Sequence, residues 1–447
     1  SFGARPARRS SSAHRGARRR EGSGMTSIDD METVEEFGRR ARAWLAENVP
    51  HREPDQHQRG FGSDEEELAS VARARTLQRT LFDGGFAGLC FPREYGGQGL
   101  TPAHQKAFDA ECASYEMPIV FNVPTFVPCG AVLLEFGTEE QKRQHIPGML
   151  KGEELWMQFL SEPSGGSDVA GALTTAVRDG DEWVVNGSKV WTTGAWWSDY
   201  GLCLLRTNWE VPKHRGLSVF IIKIRQPDIE VQRIEMINGS REFCQEFMTD
   251  LRIPDDRRVG EIDDGWTIGR RWMFHERNAM GGGSPYVSGS RMHDSGPEAE
   301  EDSLVTVARG TGQFDDARAR DLVGEARVLQ RARTELSARI GAGIASGAIV
   351  DTAASIARLM SAVVEERTIS IRLDLARASA AAWDDDDPAA GLGVGYLMRQ
   401  TTSIGGGTTE MARNNISERV LGMPRERTLD KDVPFRDVPK GPPAGSA

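Results

Sequence analysis

The sequence predicts an α+β multidomain chain whose blocks run all-α, all-β, all-α. Two observations carry that expectation. A chain of 447 residues is too long for one typical domain and long enough to bury two or three cores. Its apolar period also changes twice, from helical to alternating at Trp156 and back to helical from Gly265.

The first block, residues 25–155, reads as helical. Met31, Val34, Phe37, Ala41 and Leu45 recur at helical intervals, and residues 68–82 repeat the pattern. A polar, acidic loop over residues 50–67 separates the two. The turn-rich segment 88–100 leads to helices over 101–116 and 131–135, and Thr138 with Gln141 has the form of a capping box. The second block, 156–258, holds short alternating runs at 156–160, 170–178, 182–185, 188–193, 200–206, 217–222, 229–233 and 245–253. Gly, Asp, Asn and Pro turns split them, the spacing of a β-barrel or sandwich. The third block, 259–433, returns to helices at 266–280, 304–308, 317–340, 344–380 with breaks, and 394–402. Acidic, Gly-rich loops at 281–302 and 384–393 interrupt it, and the Pro/Gly-rich tail 434–447 is expected to fray.

Net charge is −11, yet residues 1–24 hold seven Arg against one Glu, which leaves the body near −17. An acidic body argues against nucleic acid as a partner, because duplex binding relies on basic surface. No apolar run approaches the ~20 residues that span a bilayer. Cys90, Cys112, Cys129, Cys203 and Cys244 lack CxxC spacing and histidines at zinc-ligand intervals. They read as reduced, structural thiols, and no metal site is expected. The Arg/Ser/Ala-rich leader 1–24 has the composition of a mitochondrial transit peptide or of read-through upstream of Met25. Its lack of leucine and isoleucine favours the second, and with it a cytoplasmic rather than a mitochondrial-matrix protein.

Candidate chemistry gathers in four segments. Gln158-Phe159-Leu160-Ser161-Glu162-Pro163-Ser164-Gly165-Gly166-Ser167-Asp168 is a strand entering a turn of small residues, where backbone N–H groups and hydroxyls can approach a flat ligand. Most such turns are merely turns. Asn186 to Gly194 takes a tight turn into a strand carrying Trp191, Thr192 and Thr193, where an indole can stack on an aromatic cofactor. A core tryptophan is the ordinary alternative. In helix 266–280, Glu276 shares a stripe with Trp272 and Ile268, so burial there raises its pKa. A salt-bridged glutamate is its ordinary alternative, and a solvated arginine that of Arg277. His275 points about 100° away from Glu276 and reads as a packing residue. The fourth segment runs from Ile404 through Gly405, Gly406, Gly407, Thr408, Thr409 and Glu410 to Asn414. The aspartate run 384–387 lacks the spacing of a calcium loop and reads as a solvated loop.

SEPSGGSD, NGSKVWTTG and GGGTTEMARNNISERVLGMPRE, with FPREYGGQGL before them and RIPDDRRVGEIDDGW at the second boundary, resemble the acyl-CoA dehydrogenase family over roughly residues 33–427. The resemblance implies an N-terminal helical domain, a central β-barrel and a C-terminal four-helix bundle, with FAD between barrel and bundle. It places Gln158, Leu160 and Ser161 along the isoalloxazine edge, and Gly166 and Ser167 where flavin and the pantetheine of the substrate meet. Trp191 covers the ring, with Thr192 beside it and Thr193 near N5. Thr408 and Glu410 touch the ribityl, pyrophosphate or adenosine part. The implied reaction is α,β-dehydrogenation of an acyl-CoA thioester, a carboxylate taking the α-proton while the β-hydrogen leaves as hydride to the flavin. An electron-transfer flavoprotein is the implied acceptor.

The α-proton of a thioester is too weak an acid for a free carboxylate. The site must raise the pKa of the base and stabilise the enolate at the carbonyl oxygen. Many family members carry that base two residues before the threonine of the glycine-rich segment, where this chain has Gly406. HERNAMGGG instead resembles the subset with a glutamate before an arginine on the first helix of the last domain. The resemblance therefore implies Glu276 as base, Arg277 as a substrate-side charge, and Gly406 as a backbone N–H donor to the thioester oxygen. Two family segments that reach a neighbour's FAD, Arg-Gln-Phe-Gly and Gln-x-x-Gly-Gly, are not intact. Gln313-Phe314-Asp315 is the nearest remnant of the first, and residues 383–393 replace the second. The chain is accordingly expected to form a homo-oligomer, dimer or tetramer, or a hetero-oligomer with a related subunit. The alternatives to an active dehydrogenase are a non-catalytic half-site subunit and an oxygen-using oxidase. Branched, long or ring-bearing acyl groups are all compatible with the relocated base.

Overall fold

The computed structural model describes residues 32–52, 63–280, 284–287, 297–377, 390–428 and 430–439. The leader, residues 281–283 and 288–296 of the loop expected at 281–302, the aspartate run 384–387 and residues 440–447 lie outside the described residues.

Among the described residues, five α-helices form the first block: α1 (Val34–Asn48), α2 (Asp64–Asp83), α3 (Pro102–Glu111), α4 (Ala131–Phe136) and α5 (Glu139–Leu150). Local chemistry sets their starts. Thr33 caps α1 in a box with Glu36, Ser63 caps α2 ahead of four acidic residues, and Thr138 with Gln141 forms the expected box on α5. Phe37, Ala41 and Leu45 bury the inner face of α1 in a core with Leu81, Phe86 and Phe108. One apolar stretch exceeds expectation. Ile119–Phe136 is long and apolar enough by composition to cross a membrane, but 67% of it is buried inside the protein. Thr125 there exchanges two hydrogen bonds with the Trp156 backbone, at 2.9 and 3.1 Å, which seats the segment under the first strand.

Eight strands follow: β1 (Trp156–Phe159), β2 (Thr175–Asp179), β3 (Glu182–Thr193), β4 (Tyr200–Arg206), β5 (Leu217–Lys223), β6 (Ile229–Ile234), β7 (Phe243–Pro254) and β8 (Arg258–Val259). They make one sheet of order β6-β7-β3-β2-β4-β5-β8, with β1 parallel to β4. The turn expected at Asn186-Gly187 is instead part of the single strand β3, where the register on β7 slips and β7 carries the extra residue of a bulge. Gly187 has φ 143°, and a Cβ there would stand 2.7 Å from Thr174, so only glycine lets the two chains approach. Strand β2 begins five residues later than expected. The Arg206 guanidinium holds the Ala170 and Ala172 carbonyls before it, at 2.6 and 3.3 Å.

The last block holds α6 (Gly265–Met280), α7 (Pro297–Gly310), α8 (Ala317–Ala345), α9 (Ala354–Ala376), α10 (Ala390–Met398) and α11 (Thr409–Asn415). Leu304, Ala308, Ala326, Ile371 and Leu375 form the core shared by α7, α8 and α9. Helix α7 begins inside the stretch expected as loop. A proline at its first position and acids behind it favour a helix start, which composition alone had suggested was solvated loop. The described part of the tail is docked rather than frayed. Phe435 is 3% exposed, stacks on Trp209 at 5.4 Å and lies 4.1 Å from the Arg206 guanidinium.

Candidate active site

Helix α6 packs on α4, on β5 and on the segment 122–130. Ile268 and Trp272, on the stripe shared with Glu276, are buried. Trp272 Nε1 donates to Gln158 Oε1 of β1 at 2.8 Å. An indole N–H can only donate, so the Gln158 oxygen faces Trp272 and its amide nitrogen serves the Glu276 carboxylate, to which Gln158 is hydrogen-bonded. Burial pushes Glu276 above the usual carboxylate range, and the Gln158 bond and the Arg277 charge oppose that rise. The carboxyl is hemmed in by protein atoms while the residue keeps some accessible surface, as a group on a cleft wall does. Such a carboxylate is a stronger base than a free one.

A second set of bonds fixes how α6 is turned. Glu135 of α4 accepts from His275 Nε2 at 2.8 Å and from Arg271 Nη2 at 2.6 Å. His275 thus faces away from Glu276, as the helical spacing requires. Burial pushes the His275 imidazole below its ordinary pKa despite Glu135. Arg277 is exposed and has Asp351 and Arg419 as charged neighbours, which sets the end of α6 beside the residues that follow α11.

The two glycine-and-hydroxyl segments meet on the sheet. The Ser161 carbonyl accepts from Val190 N–H at 3.0 Å. Behind them lies an ion pair to which the sequence assigned no role, Lys189 Nζ to Glu162 Oε1 at 2.8 Å, both buried. Burial pushes the Glu162 carboxyl up, but the Lys189 charge and bonds from Lys189, Leu173 and Thr174 prevail and hold it below its ordinary value. In front, Gly166 and Ser167 are exposed, and Leu160 and Ser161 are half-buried. Trp191 is 54% exposed with φ 65°, its ring edge-on to Phe243 at 5.9 Å. Thr193 is exposed, whereas Thr192 turns inward and donates to Glu246 at 3.0 Å. An open indole beside a turn of small residues, backed by a rigid buried ion pair, fits a planar aromatic cofactor.

Gly406, Thr408 and Glu410 form a separate group on the bundle. Arg358 of α9 donates to the Thr402 and Gly405 carbonyls at 2.8 and 2.6 Å, pinning the turn in which Gly406 has φ 69°. Glycine takes that left-handed conformation without strain. Thr408 caps α11, accepting from Met411 N–H at 3.1 Å, and Glu410 is exposed. Gln313, expected from the resemblance to be a remnant of a segment that reaches a neighbour, turns inward and donates to the Leu375 carbonyl.

Residues 31–153 match the acyl-CoA dehydrogenase N-terminal domain, and residues 158–250 match the middle domain. Acyl-CoA dehydrogenase IpdE1 of Mycobacterium tuberculosis is 33% identical over 400 residues, 89% of this chain and 99% of that protein. The chain belongs to the acyl-CoA dehydrogenase family. It is therefore an oxidoreductase of a flavoprotein family that acts in acyl-CoA catabolism. Among solved structures, the Tcur3481–Tcur3483 steroid ACAD matches with TM-score 0.70 at 25% identity, over 89% of this chain and 99% of that one. The ChsE4–ChsE5 complex of Mycobacterium tuberculosis shares the fold at TM-score 0.66 and 24% identity, over 90% and 100%.

Proposed function

We propose that this family member carries out α,β-dehydrogenation of an acyl-CoA thioester with Glu276 as the base. The Trp272–Gln158–Glu276 chain carries the proposal, because it delivers a hemmed-in carboxylate of raised pKa from the strand that leads into the cofactor turn. Trp191 and Thr193, with Gln158, Leu160, Ser161, Gly166, Ser167, Thr408 and Glu410, would hold FAD, which when bound would supply the acceptor for the β-hydride; Thr192, turned inward onto Glu246, supports Trp191 from behind. Glu276 takes the α-proton on a carboxylate oxygen as the C–H electron pair moves toward the thioester carbonyl; its return forms the Cα–Cβ double bond as the β C–H bond breaks and the hydrogen leaves as hydride. The Gly406 backbone N–H donates to that carbonyl oxygen, a task that needs no side chain. Gln158 keeps the carboxylate oriented, Ser167 borders the pantetheine chain, and Arg277 offers a positive charge on the substrate side. The working units are residues 25–155, 156–258 and 259–433, and an electron-transfer flavoprotein is the onward acceptor.

The relative described as a steroid ACAD supports a ring-bearing acyl group as the substrate class. A second arrangement has a specific observation behind it. Gln313 is spent on Leu375 inside its own bundle, so a related subunit in a hetero-oligomer supplies the cofactor contacts it does not make. Both solved relatives named above are described as pairs of different chains.

Anaerobic titration with acyl-CoAs, from short straight chains to ring-bearing ones, tests the proposal. Flavin bleaching that is strongest with ring-bearing thioesters supports it. A colourless protein that gains flavin only with a related subunit supports the half-site arrangement, and peroxide formed in air supports an oxidase.

A further inference from the structure

A single side chain closes both ends of the turn that follows β1. Glu162 stands at the entry, and its carboxylate reaches the exit. Oε2 accepts from the Leu173 N–H at 2.6 Å and Oε1 from the Thr174 N–H at 3.1 Å. Residues 163–172 lie between, and Pro163, Ser164, Gly166, Ser167 and Asp168 are exposed. Within the turn, the Gly165 N–H donates to the Glu162 carbonyl at 2.9 Å, and Lys213 anchors Asp168 at 2.8 Å. A stretch so rich in glycine and serine has little stiffness of its own. Its shape therefore depends on how its ends are held.

The carboxylate is fixed in its turn by Lys189 of β3. An ammonium has three N–H donors. Lys189 spends them on Glu162 Oε1 at 2.8 Å, the Leu204 carbonyl of β4 at 2.7 Å and the Leu160 carbonyl just after β1 at 3.3 Å. Both side chains are buried, and the Lys189 charge keeps Glu162 ionised, so both of its oxygens accept and neither donates. The exit is held from the other side by the Arg206 guanidinium, on the Ala170 and Ala172 carbonyls. A buried cation thus takes the carbonyls of this stretch, and a buried anion takes the N–H groups that follow.

We propose that Glu162, with Lys189 as its fixed counter-charge, is a positioning residue that holds residues 163–172 in the shape that receives the cofactor and the substrate chain. Its part in catalysis rests on Gly166 and Ser167 bordering the flavin and the pantetheine; the clamp itself does not. The pair has two separable effects. As an ion pair it stabilises the fold, and a matched apolar pair replaces it at small cost. As an acceptor for Leu173 and Thr174 it shapes the turn, and no apolar side chain replaces that. With Glu162→Leu and Lys189→Met together, the two N–H groups regain an acceptor by turning to water, which opens the turn.

The test compares the full chain with three variants: Glu162→Leu with Lys189→Met, Glu162→Gln with Lys189→Met, and Leu45→Ala. The last removes a buried side chain of α1 in the core of the first block and so lowers stability without touching the turn. Urea unfolding, hydrogen exchange of peptides spanning residues 163–174, and the dissociation constant for FAD are measured on each. The Leu/Met pair should keep most of the parent's stability, yet exchange this segment about tenfold faster and hold FAD about tenfold more weakly. The Gln/Met pair, which keeps one acceptor oxygen, should fall between. Leu45→Ala should lose stability and leave the other two readouts at the parental value. Parental exchange over residues 163–174 in the Leu/Met pair overturns the proposal. So does Leu45→Ala reproducing the faster exchange and the weaker FAD binding. Faster exchange with parental FAD affinity upholds the clamp and refutes this turn as the cofactor site.

Discussion

Trp272 Nε1 meets Gln158 Oε1 at 2.8 Å, and that single bond decides which end of the Gln158 amide faces Glu276. The amide cannot turn over without opposing its carbonyl to a carboxylate. Glu276 thus gains a donor that moderates, without cancelling, the rise that burial imposes.

Removing that donor should shift the base. In Gln158→Leu the charge-assisted bond, worth about 1.5–3 kcal/mol, is lost from the ionised form, and the Glu276 pKa rises further. The acid limb of the kcat/KM pH profile should move up accordingly, with Trp272→Phe moving it the same way by less. An acid limb that stays in place in both variants contradicts this assignment.

Lys189 should be among the residues least tolerant of change. Lys189→Met leaves Glu162 buried without its counter-charge, which costs about 3–5 kcal/mol, whereas adding Glu162→Leu should recover most of the loss. Urea unfolding of the single and double variants measures both. Equal destabilisation by the two would contradict a buried pair.

Glu246 should give stability a pH dependence of defined sign. Its folded pKa of about 8 lies above the ~4.3 of an unfolded glutamate, so the folded state binds the extra proton between those values. The contribution is full below about pH 4.3 and is lost as pH rises through about 8. Relative to Glu246→Gln, the parent should lose a few kcal/mol over that window, at about 1.4 kcal/mol per unit. Unfolding free energies at acid, neutral and alkaline pH that run parallel in the two proteins would refute it.

The docked tail should contribute measurably. Phe435→Ala removes a buried ring from between Trp209 and Arg206 and should cost about 3 kcal/mol. Lys213 bridges Asp168, in the turn after β1, and Asp430 at 2.8 and 3.4 Å, so the same change should loosen that turn. Faster proteolysis near residue 168, with unfolding monitored in parallel, checks it; an unchanged cleavage rate speaks against the coupling.

The order of the three blocks was legible because apolar period is a local property. The bounds expected for β4, residues 200–206, are those observed. What escaped depends on partners distant in sequence. Gly187 looks like a turn until Thr174 is seen against it, and the tail looks frayed until Phe435 meets Trp209. Helix α11 was hidden because its short segment was read only as a motif, although Thr408 is an ordinary cap. At the site, Glu276 was marked by its stripe and by the family resemblance. Its partner Gln158 lies 114 residues before Trp272, and only the packing of α6 on the sheet reveals it. Lys189 and Glu246 gave no signal, although the alternation of Trp183 and Val185 in β3 and of Cys244 and Met248 in β7 turns both inward, because a charged side chain reads as solvent-facing.

The claim on which the rest depends is that Glu276 removes the α-proton. Anaerobic mixing of the Glu276→Gln variant with an acyl-CoA that bleaches the parent tests it most directly. The variant should retain FAD and its visible spectrum, and should show no bleaching. Bleaching at the parent's rate would place the base elsewhere in the chain.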